Sequence, residues 1–201
     1  MLCSLEVSRI KPSWLRLLSV TPALFFAFSV IFFGHLEPGY SHVNMAVSKL
    51  GAFSAENTVL MNLFGLFLPG ILISTFRLLS LSSASAKQVT AGLLCLILFG
   101  IMFAGLALPM DMKPIWGTEY TGHYILAFAT PAPYVVSVVC FWAAIPKLRA
   151  NKPIKVLVVA LPLIFILSSK FGLPSGMYQR VLLACIFLWL PAVAFLIEKR
   201  G

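Results

Sequence analysis

Six long apolar runs separated by short polar connectors decide the solvent in which this chain can fold. They are Leu15–Gly34, Val59–Leu79, Val89–Pro109, Tyr124–Ile145, Val156–Ser169 and Val181–Ile197. A helix rises about 1.5 Å per residue, so about twenty apolar residues cross a hydrocarbon core roughly 30 Å thick. Five runs meet or approach that length. The fifth in order, Val156–Ser169, spans only if it borrows Ile154 and Lys155 or Lys170 and Phe171, with the two lysines snorkelling to the interfaces. Charged residues are 10% of the chain and mean hydropathy is +0.99, whereas an ordinary soluble domain is about a quarter charged. The expected fold is all-α, a polytopic transmembrane bundle of six helices in a single membrane domain, 1–201, with no linker, low-complexity tract or repeat.

Arg9, Lys11 and Arg16 precede the first run as the n-region of a signal peptide would. That run is too long for the apolar stretch of such a peptide and carries no A-x-A-like site. It is expected to remain as an uncleaved first helix.

The formal charge of +9 invites a nucleic-acid reading, but its distribution argues for a membrane. Connectors on the side of both termini hold Arg9, Lys11, Arg16, Arg77, Lys87, Lys147, Arg149, Lys152, Lys155, Lys199 and Arg200. The other side holds Lys49, Lys113, Lys170 and Arg180. Eleven against four puts both termini in the cytoplasm. The acids run the other way, with Glu37, Glu56, Asp111 and Glu119 outside and Glu6 and Glu198 inside. The basic excess is a topology signal and a contact for anionic lipid headgroups; the expected partners are membrane lipids, and no nucleic acid. Cys3 lies in the N-terminal tail and Cys95, Cys140 and Cys185 within runs, so neither a disulfide framework nor a C-x-x-C metal site is implied.

The same topology sorts the chemistry. His35, His42 and His123 all fall on the outer side with Asp111, Glu119 and Arg180, so a site, if present, opens outward. The first outer connector, about His35 to Thr58, is not a slack loop. Glu37-Pro38-Gly39-Tyr40 reads as a turn, and apolar residues at 43, 46, 47 and 50 follow helical spacing. Two readings stand: a short interfacial or re-entrant helix tucked against the bundle, or a plain amphipathic surface helix. Asp111 and His123 flank one hairpin, and a carboxylate beside an imidazole suits a general base, a metal ligand with its supporting partner, or a structural hydrogen bond. Arg180 heads the last run; it reads as a snorkelling anchor or as a fork for phosphate or carboxylate.

Tyr40, Val47-Ser48-x-Leu50-Gly51-Ala52, Asn62 and Gly65, Pro109-x-Asp111, His123, and Gly176-x-x-Gln179-Arg180 with Trp189 together resemble the family catalogued as domain of unknown function 998. The resemblance covers nearly the whole chain. It implies a chiefly prokaryotic membrane protein of about six helices, hence a plasma or inner membrane location, and supplies no reaction. The family pattern falls here on Ser48, Leu50, Gly51, Asp111, His123 and Arg180. Lys49 departs from it, since the position after the serine is often acidic or neutral in such proteins.

Four function classes follow. In the first, a lipid headgroup or other amphiphile is bound or processed at the outer leaflet: Arg180 and Lys49 hold an anionic group beside Tyr40 and Asn44, while Asp111, His123 and Ser48 line the pocket as the candidate catalytic set. In the second, an intramembrane hydrolase holds zinc through His35, His42 and His123, a catalytic zinc needing three protein ligands and an open position. Its residue inventory is similar to that of alkaline ceramidases, whose motif spacing is missing here. The third, a transporter, has against it the lack of a mid-membrane acid and of matched broken helices. The fourth is a structural membrane factor. Small residues four apart, Gly100/Ala104 and Ala23/Ala27, suit close helix contacts, within one bundle or between protomers of a homo-oligomer.

Overall fold

Hydrocarbon cannot hydrogen-bond a bare backbone, so apolar runs of this length close their bonds within helices. A computed structural model of the chain describes residues 12–80, 87–110, 122–145 and 174–198. Among the described residues five helices are long and apolar enough to cross a membrane. They are α1 (Pro12–Leu36), α2 (Thr58–Ser80), α3 (Lys87–Gly105), α4 (Gly122–Ala144) and α5 (Ser175–Glu198). The expected span Val156–Ser169 lies outside the described residues, as does Asp111.

The surface is that of a membrane protein. Leu17, Leu24, Phe28 and Ile31 on α1 are 63–68% exposed, while Ser19 and Ser29 of the same helix are turned inward. That is the reverse of a soluble helix, because lipid tails solvate leucine as well as a core does. The core runs through Met61, Ile73, Leu93, Leu96, Phe99, Phe103, Phe141 and Trp189, all nearly inaccessible.

Helix α3 is central, packing most extensively on α2 and on the second half of α4, while α1 packs on α2 and α5. The α2–α3 seam is built from small residues. A Cβ added to Gly70 would meet the backbone of Gly100 and Ala104, and one added to Gly100 would meet Ser74 and the Gly70 carbonyl. Ser74 Oγ lies 3.1 Å from the Gly70 carbonyl of its own helix and 3.0 Å from that of Ile97 across the seam, and donates to them. Gly100/Ala104 is thus used inside the bundle, whereas Ala27 of the second small pair is exposed.

Two helices depart from regular α geometry. In α2 a π-helical turn covers Asn62–Phe67, and such turns are enriched at functional sites. In α4 the helix breaks at Thr130, between Gly122–Ala129 and Pro131–Ala144. Pro131 and Pro133 have no N–H to continue the ladder, while Thr130 bonds the Leu126 carbonyl twice, through its N–H at 2.8 Å and its Oγ1 at 2.6 Å.

Arg77 corrects an expectation. Counted with the cytoplasmic connectors, it is instead fully buried. Its Nη2 donates to the Leu190 carbonyl at 2.7 Å and its guanidinium lies 4.3 Å from the centre of the Phe76 ring. The residue sits one turn inside the end of α2, where α5 covers it, a relation that hydropathy along one helix does not contain.

The Gly100→Leu variant is expected to lose about 1–3 kcal/mol of stability, because α2 and α3 must move apart to admit the side chain. Leu98→Ala, on the lipid-facing side of α3, should change little. Denaturation of the detergent-purified proteins measures both; equal stability of the two variants would contradict the packing.

Candidate functional site

The connector between α1 and α2 folds as a cap over one end of the bundle. It begins with the expected turn: the Tyr40 N–H reaches the Glu37 carbonyl at 3.2 Å, and Gly39 has φ +71°, a conformation only glycine adopts without strain. A short 3₁₀ helix, Val47–Gly51, follows and buries Val47 and Leu50. The helical spacing read from the sequence is therefore partly realised, and Val43 is 52% exposed. Asn62 Nδ2 donates to the Gly51 carbonyl at 2.9 Å, and Thr58 Oγ1 donates to the carbonyls of Ala52 and Ala55. Glu37 accepts from the Glu56 N–H at 3.0 Å, which closes the connector on itself.

This cap docks on the first turn of α5. Gly176 lets the two backbones touch, since a Cβ there would meet the carbonyls of His42, Val43 and Met45. The Met177 N–H donates to the Val43 carbonyl, and Ser175 Oγ to the Asn44 carbonyl, each at 2.8 Å. Gln179 Oε1 accepts from the Val47 N–H at 2.8 Å. Arg180 completes the joint. Its Nη1 donates to the carbonyls of Gly176 (2.8 Å) and Met45 (3.2 Å), and its Nη2 to Tyr40 Oη (2.7 Å) and His42 Nδ1 (3.0 Å). Tyr40 Oη passes the link on to the Ala46 carbonyl at 3.1 Å.

The electrostatics follow from the donors. A guanidinium has no acceptor and stays protonated, so His42 Nδ1 accepts and the ring is neutral with its proton on Nε2. Burial, and then the Arg180 charge, hold the His42 pKa below its usual value. Burial pushes the Tyr40 phenol up, with the Arg180 hydrogen bond and charge opposing it. None of these four acceptors is a carboxylate.

His123 does separate work. Its Nδ1 lies 3.0 Å from the Leu106 carbonyl and 2.8 Å from that of Leu108. Carbonyls only accept, so Nδ1 carries the proton and, from the head of α4, ties down the turn that follows α3. When the ring is neutral, Nε2 is left as an acceptor.

Between these parts lies a cavity of about 500 Å³, within the usual range for small-molecule sites. Its polar wall comprises Ser48 of the cap, His123, Tyr124 and Thr130 of α4, and Tyr178 and Gln179 of α5. Phe26, Phe99, Phe103, Leu182 and Ile186 form the apolar remainder. Farther along, α4 and α5 meet through Phe141 and Trp189, whose ring centres are 6.4 Å apart.

The anticipated residues therefore divide. Arg180, Tyr40 and His42 come together, although Arg180 spends its fork on the protein itself. Ser48 and His123 share the cavity wall, Asn44 meets α5 through its backbone, and Lys49 is exposed. His35, His42 and His123 do not gather: His35 is exposed, His42 faces Arg180, and His123 ties down the turn after α3. Among the described residues no group of three His, Cys, Asp or Glu side chains could hold a metal ion. The zinc ligand set drawn from these histidines thus lacks the geometry it needs, because the cap turns His42 toward α5 and α4 turns His123 onto the turn after α3. Gln179 and Thr130 were not anticipated as site residues. Gln179 stood in the family pattern, and Thr130 preceded a Pro-x-Pro break.

A family profile described as protein of unknown function (DUF998) matches residues 20–196. The chain belongs to that family. The match runs from α1 through α5, so the cap, the hairpin held by His123 and the Arg180 joint all lie within the DUF998 region. No curated protein and no solved structure matches the chain.

If the neutral His42 ring is what accepts from Arg180, docking of the cap depends on pH. The folded pKa lies below the unfolded value, so the folded form binds fewer protons between the two. Docking is at full strength above about pH 6.5 and weakens as pH falls toward the folded value. Amide-exchange protection of Val47 and Met177, taken as protection factors, should decline from pH 8 to pH 5 in the wild type and stay flat in His42→Asn. The same profile in both proteins would exclude His42 as the titrating group.

Proposed function

We propose that this DUF998 member is a six-span membrane protein with both termini in the cytoplasm, holding an amphiphile in an outward-opening cavity at the outer leaflet of a plasma or inner membrane. The cavity itself carries the reading. Its polar wall lies at the connector end, which the connector charges, ten against four with the buried Arg77 set aside, assign to the outside. Ile186 stands seven residues beyond Gln179 along α5, about 10 Å, and Phe26 ten residues inside the end of α1, about 15 Å, so both stay within half of a roughly 30 Å hydrocarbon core. A polar head at Ser48, His123 and Gln179 with an apolar tail toward Ile186 follows the dimensions of a single leaflet. The cap over the mouth explains why so many side chains are spent on tying down one connector.

Processing of the bound amphiphile is the second reading, favoured by Ser48 and His123 sharing one wall. Ser48 would act as nucleophile and His123 Nε2 as its base in ester or amide hydrolysis.

Filling the cavity tests the main reading. Wild-type protein released from gentle detergent in a native mass spectrometer should carry an adduct of lipid mass. Leu182→Trp, inside the cavity, should lose it, and Leu188→Trp, 60% exposed on the outer face of the same helix, should keep it. Equal retention by all three would defeat the proposal. Orientation has its own measurement: Asn151→Cys should react with an impermeant thiol label only from the cytoplasmic side, in a background free of the native cysteines.

A further inference from the structure

The amphiphile reading leaves open what kind of head the site accepts, and the donor and acceptor pattern of the cavity wall narrows it. Among the described residues no Asp, Glu, Lys or Arg lines the cavity. Arg180 stands next in sequence to a lining residue, but its two terminal nitrogens already face four acceptors supplied by the protein. Lys49 follows Ser48 and is exposed.

Two polar side chains on the wall, His123 and Gln179, have their roles restricted by bonds they already make; Thr130, Tyr124 and Tyr178 also line it. His123 donates from Nδ1 to the Leu106 and Leu108 carbonyls, so in the neutral tautomer that bond selects, Nε2 is the acceptor. Gln179 gives its oxygen to the Val47 N–H, so its amide offers N–H donors. Ser48, on the wall between cap and helices, can do either. The wall thus asks for a head that both donates and accepts.

An anion fails this demand twice. A carboxylate or phosphate only accepts and leaves His123 Nε2 unmet, and it enters a largely apolar cavity with no counter-charge among the described lining residues, which is costly. An ammonium only donates, leaves the Gln179 amide unmet, and approaches the positive charge of Arg180. A hydroxyl beside an ester or amide satisfies all three side chains.

We propose that the cavity takes an uncharged single-chain lipid, with a glycerol ester or long-chain alcohol head at Ser48, His123 and Gln179 and its chain running toward Ile186. The proposal rests on the amphiphile reading and narrows it to neutral heads.

Three probes sharing one oleoyl chain separate the possibilities: monooleoylglycerol, oleate at pH 8, and lysophosphatidic acid. Each is titrated into delipidated protein in a non-ionic detergent, with binding read by native mass spectrometry and by tryptophan fluorescence. Monooleoylglycerol should bind about tenfold or more tighter than either anion. Ser48→Ala should weaken monooleoylglycerol about three- to tenfold, the worth of one hydrogen bond, and leave the anions unchanged. Oleate or lysophosphatidic acid binding as tightly as monooleoylglycerol would overturn the neutral-head assignment while the amphiphile reading survived. Binding of none of the three to folded protein would overturn the amphiphile reading itself.

Discussion

The Arg180 guanidinium is the joint between the two ends of the chain. Four of its N–H groups reach carbonyls or side chains of the cap and of its own helix, binding residues 40–46 to the head of α5. Such bonds matter most where water is scarce, because an unpaired backbone group at the membrane surface costs more than a side chain's rotamer freedom. The cap has little regular secondary structure with which to satisfy itself. Thr58, Asn62, Ser175 and Gln179 therefore reach its carbonyls and N–H groups from the helices around it.

The cavity depends on that joint. With the cap docked, Val47 and Ser48 lie over a space walled by α1, α3, α4 and α5, and the 3₁₀ helix keeps Val47 and Leu50 buried. The breaks in α2 and α4 lie beside the same space. Leu66, within the π-turn, and Thr130, at the α4 break, both face it. At the opposite end the packing is tight and aromatic, with Phe141 against Trp189 and the Arg77 side chain enclosed between α2 and α5. One end is built for room and the other for rigidity.

Most of the helical architecture was legible in the chain. Hydropathy located α2 as Val59–Leu79 against the observed Thr58–Ser80, and α3 as Val89–Pro109 against Lys87–Gly105. The Glu37–Tyr40 turn followed from Pro at its second place and Gly at its third. The misses share one cause. Helix α5 starts at Ser175, six residues before the apolar run, because its first turn is held by the cap rather than by lipid. Arg77 read as a surface charge because no one-helix pattern shows that α5 lies against it. The three histidines shared a side in sequence, yet each has a different surrounding: Arg180 for His42, the Leu106 and Leu108 carbonyls for His123, and an exposed position for His35.

By itself the sequence determined the solvent, the number of long apolar helices among the described residues, and the end of the bundle on which polar chemistry collects. Hydrophobic length and charge are properties of a segment, readable without its neighbours. Tertiary structure decided which of the polar residues do structural work and which face open space. Arg180 and His42 became a joint, His123 a tie with one nitrogen remaining, and Ser48 and Gln179 a wall. That division rests on hydrogen bonds between residues as much as 140 positions apart, and distances of that kind exist only after the helices have packed.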